Sequence, residues 1–92
     1  DTHGSHVAGI IGAVGNNSVG VSGVCRKARL LAIKALEGRS GAVSDVVEAI
    51  AFADQLGAQV INASWGVSAY VQSLYDAIAA RPHILFIVAA GN

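Results

Sequence analysis

Three short apolar runs, each of strand length, alternate with segments of helical periodicity and restrict the folds open to this chain. The runs cover residues 29–36, 60–64 and 84–88. Strands that are apolar throughout are typical of parallel sheets whose two faces are both covered by helices. Strand, helix, strand, helix and strand in this order predict two right-handed crossovers. The expected fold class is therefore α/β, with three α/β/α layers around a parallel sheet.

Three helices are predicted, over residues 1–14, over residues 44–56 and from Ser68 to the Arg81-Pro82 pair. The second has one apolar face at helical spacing, formed by Val46, Val47, Ile50, Ala53 and Leu56. We expect Ser44 or Asp45 to cap its start and Gly57 to end it. Ser68 is the expected cap of the third helix. Glycine and asparagine predict loops at residues 15–23 and 37–41.

The composition excludes some classes of partner. The formal net charge is zero, and no basic cluster larger than residues 26–29 suggests nucleic acid or an anionic membrane. The longest apolar run, residues 84–90, is far shorter than the roughly 20 residues of a membrane span. Only 13% of the residues are charged and 53% are apolar, whereas about a quarter are charged in typical soluble domains. We therefore expect an internal fragment of a larger domain, in which Cys25 is a small buried apolar residue.

Two residues at opposite ends of the chain carry chemistry. His3 is followed by a glycine and then by a helical apolar stretch, which predicts a proton-transfer group held at a helix N-terminus. Asn92 follows a glycine at the end of the last strand and offers an amide donor of the kind that stabilises an oxyanion. Ligands of open parallel sheets bind beyond the carboxyl ends of the strands. An active site is therefore expected from residues 36–41, 64–67 and 89–92, together with His3.

Four motifs, in this order along the chain, resemble those of the subtilisin-like serine proteases, the subtilases. They are His3-Gly4-Ser5-His6-Val7-Ala8-Gly9, Asn17-Ser18-Val19-Gly20-Val21, Val60-Ile61-Asn62-Ala63-Ser64-Trp65-Gly66 and Ala89-Ala90-Gly91-Asn92. The resemblance covers essentially the whole chain. It implies that residues 1–92 are an internal fragment of one catalytic domain with the subtilisin-like fold, with no second domain.

The resemblance also implies catalytic roles. His3 matches the general base of a Ser-His-Asp triad, and Asn92 matches the side chain that donates to the tetrahedral intermediate. His6 matches a structural histidine, and Asp1 is not the triad aspartate. The aspartate and the serine nucleophile would lie outside these 92 residues, so the fragment alone is predicted to be inactive.

Substrate and cation sites follow from the same resemblance. The substrate, a peptide or protein, would lie between segments that contain Ser40, Gly41, Ser64, Trp65, Gly66, Ala89, Ala90 and Gly91. A structural calcium ion would be bound by the Asn17 side chain and by the carbonyl groups of Gly15, Val19 and Val21. No organic cofactor is implied, and the family resemblance predicts an extracellular, secreted protein.

This chain departs from the family pattern at two positions, and other functions remain open. Ser5 replaces the commoner threonine, and Val67 stands where a second glycine is frequent, which would reshape the substrate cleft. A catalytically dead subtilase-fold binding module is one alternative. A metallophosphoesterase-like metal enzyme, suggested by the Asp1-Thr2-His3-Gly4 opening, is a remote one, because the Gly-Asp pair of that class is absent. Ser64 lacks the first glycine of a nucleophile elbow.

Overall fold

The computed structural model describes residues 2–38 and 40–92. Its elements are, in chain order, α1 (His3–Gly12), α2 (Val43–Gln55), β1 (Val60–Ala63), α3 (Gln72–Ala79) and β2 (Leu85–Val88). They are divided between two compact units, Asp1–Ala32 and Ile33–Asn92. No helix in the described ranges is long and apolar enough to cross a membrane.

The second unit contains the predicted parallel sheet. β1 and β2 pair in parallel, with Ile61 opposite Phe86 and Ala63 opposite Val88. Ile61 and Phe86 pack against the apolar core between the helices. Alternation places Val60, Leu85 and Ile87 on the other face, where they are 48–58% exposed. The described part of the sheet is therefore covered by helices on one face only.

The third predicted strand, residues 29–36, is not formed. This run has no strand assignment, and Leu30 and Leu31 are each 50% exposed. A strand exists only where a neighbour pairs its backbone N–H and C=O groups, and the described sheet consists of β1 and β2 alone. The prediction of a parallel sheet is confirmed, but the prediction of a third strand from the apolar run is wrong.

Helices α2 and α3 build the core of the second unit. Val46 and Ile50 of α2 meet Leu74 and Ala77 of α3, and all four side chains are buried. The predicted apolar face of α2 is confirmed at Val46, Ile50 and Ala53, whereas Leu56 is 55% exposed. The two amphipathic helices thus pack against each other and form the apolar core that one face of the sheet contacts.

The predicted N-terminal caps are wrong, and the predicted C-terminal stop is confirmed. Ala42 and Val71 precede α2 and α3, and neither helix has a side-chain cap. Asp45 lies instead in the first turn of α2, where its negative charge interacts favourably with the helix dipole.

The C-terminal stop of α2 is at Gly57, which has a φ of 82°. The N–H of Gly57 donates to the Asp54 carbonyl, and the N–H of Ala58 donates to the Ala53 carbonyl. This pattern is a Schellman motif, which requires the left-handed conformation that glycine adopts without strain.

In the first unit, the chain after the loop satisfies the end of α1. The last carbonyl groups of a helix lack intrahelical donors. Here the N–H groups of residues 23, 24 and 25 donate to the carbonyls of residues 13, 10 and 11, at 3.0, 3.0 and 2.8 Å. Cys25 takes part through its backbone, and its side chain is exposed rather than buried as predicted.

Gly23 is the point of closest approach in this arrangement. It is buried, and a Cβ atom placed on it would lie 2.6 Å from both the carbonyl carbon and the Cα of Gly12. Because the obstructing atoms are backbone, they cannot move aside as a flexible side chain would. We therefore expect Gly23→Ala to destabilise the protein by about 1–3 kcal/mol, the usual cost of overpacking.

Urea denaturation of the Gly23→Ala variant measures this loss. Gly9→Ala is the matched control, because a Cβ at Gly9 meets no atom within 4 Å outside its own helix. Equal stability of the Gly23→Ala variant and the wild-type protein would show that the two segments do not approach this closely.

Candidate active site

The carboxyl ends of β1 and β2 bring two of the predicted site segments side by side. Ala63 and Val88 are register partners at the end of the sheet, and the N–H of Ala89 continues the pairing by donating to the Ala63 carbonyl at 3.2 Å. The chain then leaves each strand in irregular structure. Residues 64–67 and 89–91 consequently start from adjacent positions at one edge.

These two segments line one apolar cavity of about 280 Å³. Its mouth is formed by Trp65, Gly66 and Val67 on one side and by Ala89, Ala90 and Gly91 on the other. Its remaining walls come from the sheet and the helices, namely Ile50, Ile61, Ala63, Leu74, Ile78, Phe86 and Val88. Every lining residue is apolar or glycine, so the cavity suits an apolar group and offers no counter-ion to a charged one.

The sequence predicts that residues 64–67 and 89–92 belong to a site, but it gives no sign that residues of α2 and α3 line the same cavity. Leu74 and Ile78 both line the cavity and lie four residues apart on α3, a spacing that puts them on the same face of the helix. Their spacing indicated burial, but the crossover from β1 to β2 decides that they face the same cavity. Ser64 does not line it. The Ser64 hydroxyl accepts a hydrogen bond from the Asn62 side-chain amide at 2.9 Å.

Ser40 and Gly41 lie in the same unit. Glu37 and Ser40 exchange two backbone hydrogen bonds, of 2.9 and 3.2 Å, and form an isolated antiparallel bridge. A shallow depression of about 210 Å³ beside it is lined by Lys34, Ala35, Leu36, Glu37, Ser40, Gly41 and Asp45. Lys34 and Glu37 form an exposed ion pair at 2.7 Å, a type of contact that contributes little stability.

His3 lies where the sequence predicts, at the N-terminus of a helix. It is the first residue of α1, and the first turn is closed by the N–H of His6, which donates to the Thr2 carbonyl at 3.0 Å. Both histidine side chains are exposed. The helix therefore fixes the backbone of His3 while leaving its imidazole accessible.

Asn92 lies four residues beyond β2 and is exposed. Gly91, immediately before it, has a φ of 90°, which redirects the chain as it leaves the sheet. His3 belongs to the first unit and Asn92 to the second.

The loop of residues 15–21 in the first unit contains oxygen donors of the kind that bind hard cations. Asn16, Ser18 and Gly20 all have left-handed φ values, of 58°, 58° and 61°. The Asn17 side-chain oxygen accepts the N–H of Val19 at 3.2 Å and keeps a second lone pair. Amide and carbonyl oxygens suit calcium, but the four predicted donors are fewer than the six to eight that this ion takes. In residues 2–38 and 40–92, no group of three His, Cys, Asp or Glu side chains could hold a metal.

Comparison with known proteins identifies similar sequences along the whole chain. The model of the subtilase family, Peptidase S8, matches residues 1–92. A thermophilic serine proteinase of Bacillus sp. (strain AK1) is 40% identical over 95 residues, an alignment that covers 100% of this chain and 24% of that protein. Subtilisin BL of Lederbergia lenta is 40% identical over 98% of this chain and 34% of its own length. Thermitase of Thermoactinomyces vulgaris is 39% identical over 98% of this chain and 33% of its own length.

The chain thus spans between about a quarter and a third of these three relatives. No solved structure matches it significantly.

Proposed function

The chain belongs to the subtilase family, and from this premise we propose that the parent protein is a serine endopeptidase that hydrolyses peptide bonds through a Ser-His-Asp triad. The observation that carries the proposal is the family match over residues 1–92. The apolar cavity between two strand ends supports it independently, because sheets of this type bind ligands at that edge.

In the proposed mechanism, His3 is the general base. Its imidazole takes the proton of the serine nucleophile as the oxygen attacks the scissile carbonyl, and then gives it to the leaving amine. The serine and the aspartate that orients His3 come from other segments of the parent. Support comes from the position of His3 as the first residue of α1, exposed and on a rigid element.

Asn92 is the proposed oxyanion donor. Its side-chain amide would donate to the negatively charged oxygen of the tetrahedral intermediate, an interaction stronger in the transition state than in the substrate. Its position beyond the carboxyl end of β2 supports this role, because parallel sheets bind ligands at that end of their strands.

The substrate would bind as an extended peptide between the segment that contains Ser40 and Gly41 and the segment of residues 64–66. Extended peptides add to strand edges through main-chain hydrogen bonds. The side chain before the scissile bond would enter the apolar cavity past Trp65 and Ala90, so we propose that this side chain is apolar.

The parent would have the complete three-layer fold. Val60, Leu85 and Ile87 present an exposed apolar sheet face, which is costly in water. We infer that further helices of the parent cover this face. An extracellular location is proposed from the subtilase resemblance alone.

We also propose that calcium binds the loop of residues 15–21. The Asn17 side chain and the carbonyls of Gly15, Val19 and Val21 would hold the ion with ligands from elsewhere in the parent, and the bound ion would tie the loop down. Their oxygen chemistry supports the assignment.

Alanine at His3 or at Asn92 tests the mechanism in the parent protein. We expect Asn92→Ala to lower kcat by about 10²–10³, a value adopted from subtilisin, a member of this family, and His3→Ala to lower it further. His6→Ala is the control, since His6 has no proposed chemical role. Steady-state kinetics on a chromogenic peptide measures all three.

An active His3→Ala variant would contradict the triad assignment. A wild-type parent that binds peptides without cleaving them would indicate a binding module with the subtilase fold. The isolated 92-residue polypeptide is expected to cleave nothing, because it holds one triad member.

The cavity predicts a change in substrate preference. Phenylalanine at Ala90 would fill part of the 280 Å³ space, and we expect kcat/KM for peptides with a large apolar residue before the cleaved bond to fall by at least about 10-fold relative to alanine peptides. Ala80→Phe is the matched control, because Ala80 is exposed and does not line the cavity. An unchanged ratio in the Ala90→Phe variant would exclude the cavity as the binding pocket.

Calcium binding predicts a ligand-dependent thermal midpoint of unfolding. The midpoint of the wild-type parent should rise with calcium concentration, because an ion that binds only the folded state stabilises it. Asn17→Ala should weaken this response, whereas Asn16→Gly, which keeps the left-handed backbone next to it, should retain it. Equal responses in both variants would remove Asn17 from the site.

A further inference from the structure

A cluster of charged side chains joins three elements at the opposite edge of the sheet. Asp54, near the C-terminus of α2, uses both carboxylate oxygens. Oδ2 accepts a hydrogen bond from Arg81 Nε at 3.0 Å, and Oδ1 lies 2.7 Å from His83 Nε2. A second guanidinium nitrogen of Arg81 donates to the carbonyl of Ala77 in the last turn of α3, at 2.7 Å. We refer to Asp54, Arg81 and His83 as the latch.

Backbone hydrogen bonds order the segment that carries Arg81 and His83. The N–H of Ile84 donates to the Arg81 carbonyl at 3.1 Å, so residues 81–84 form a turn whose second position is Pro82. Proline favours this position because its φ is already fixed. The N–H of Arg81 is also bound, to the carbonyl of Ile78 at 3.0 Å. Since the turn is ordered by these bonds, the ion pair requires less additional ordering than two free side chains would.

The turn also sets the start of β2. Ile84, which ends the turn, is buried at 6% exposure, and the next N–H, that of Leu85, donates to the Gln59 carbonyl at 3.0 Å. The latch therefore holds the turn against α2 immediately before the first bond of the sheet.

The three side chains of the latch are buried to different extents, and the most buried one, Arg81, depends on the negative charge of Asp54. The side chains of Arg81, Asp54 and His83 are 19%, 31% and 59% exposed. Within the described residues, Arg81 and His83, both from the turn, are the charged or titratable groups that act on Asp54. If the carboxylate were neutral, the largely buried guanidinium of Arg81 would lose its counter-ion, and His83 would lose its charged hydrogen-bond partner.

We propose that Asp54, Arg81 and His83 form an acid-sensitive latch, which fixes the α3–β2 turn to α2 while Asp54 is ionised and releases it when Asp54 is protonated. The device does not depend on the proposed protease activity. It is built from residues at the amino end of β2, outside the cavity and outside the motifs that define the family resemblance.

The direction of the pH dependence follows from Asp54. The hydrogen bond from His83 lowers the pKa of this carboxyl most; burial opposes it, but the charges of His83 and Arg81 add to the lowering, so the pKa lies below its ordinary value of 3.8. A group whose pKa is lowered in the folded state stabilises that state above the unfolded pKa. Its contribution is lost as the pH falls from about 3.8 through the lower folded value.

The thermal midpoint of unfolding of the full-length protein, measured from about pH 7 to about pH 3, tests the latch. Asp54→Asn keeps the shape of the side chain and removes the charge. We expect its midpoint to lie a few degrees below that of the wild-type protein at neutral pH. The difference should shrink toward the acid end, where the pH has fallen below the ordinary carboxyl pKa of 3.8 and approaches the lower folded value.

Asp76→Asn is the matched control. Asp76 lies on α3, accepts a hydrogen bond from Gln72 at 2.8 Å and, within the described residues, forms no ion pair. Its neutralisation should leave the pH dependence of the midpoint unchanged.

His83→Gln and Arg81→Gln keep the proposal testable should Asp54→Asn fail to fold. Each removes one hydrogen-bond partner of the Asp54 carboxylate and should reduce the acid-dependent loss of stability. A double-mutant cycle with Asp54→Asn should give a coupling at neutral pH that becomes smaller in acid. A midpoint difference for Asp54→Asn that is zero at neutral pH, or equally large in acid, would overturn the proposal.

Discussion

β1 and β2 pair in parallel over four residues, and the bond from Ala89 to the Ala63 carbonyl extends the pairing to the edge where the strands end. Parallel pairing requires a crossover, and here α3 supplies it. The same connection that permits the pairing therefore covers one face of the sheet and places Leu74 and Ile78 beneath the strand ends. The position of the cavity follows from this pairing, since both halves of its mouth are continuations of the paired strands.

Sequence patterns predicted what depends on local physics. The apolar stripe of α2 and its stop at Gly57 follow from side-chain periodicity and from the left-handed φ that glycine adopts. The third strand was not predictable in the same way, because residues 29–36 have a strand-like composition but a strand requires a partner elsewhere in the chain. The helix starts were also missed. Ser44 and Ser68 are good cap residues, yet the helices begin at Val43 and Gln72 and neither has a side-chain cap.

The sequence predicts which segments flank the candidate site, but it does not predict which helix residues line the cavity between them. Trp65 and Ala90 follow the strands in sequence, so the rule that ligands bind at carboxyl strand ends identified them. The cavity floor comes from α2 and α3, whose residues have no sequence feature that separates a cavity wall from an ordinary core position. The proposed roles of His3 and Asn92 come from the family resemblance, because such roles depend on contacts with a substrate rather than on local structure.

The two ends of the sheet contain different kinds of side chain. Charged side chains stabilise the amino end, and small or apolar residues leave the carboxyl end open. At the amino edge, Arg81, His83 and Asp54 join α2, α3 and the turn through charged hydrogen bonds. At the carboxyl edge, the chain leaves β1 and β2 as small or apolar residues around an open cavity. A binding site needs room and accessible backbone, which small residues give at the expense of stabilising contacts. A sheet held at one edge by an ion-pair cluster can leave its other edge open, so the strand ends that would meet a substrate need not also hold the helices together.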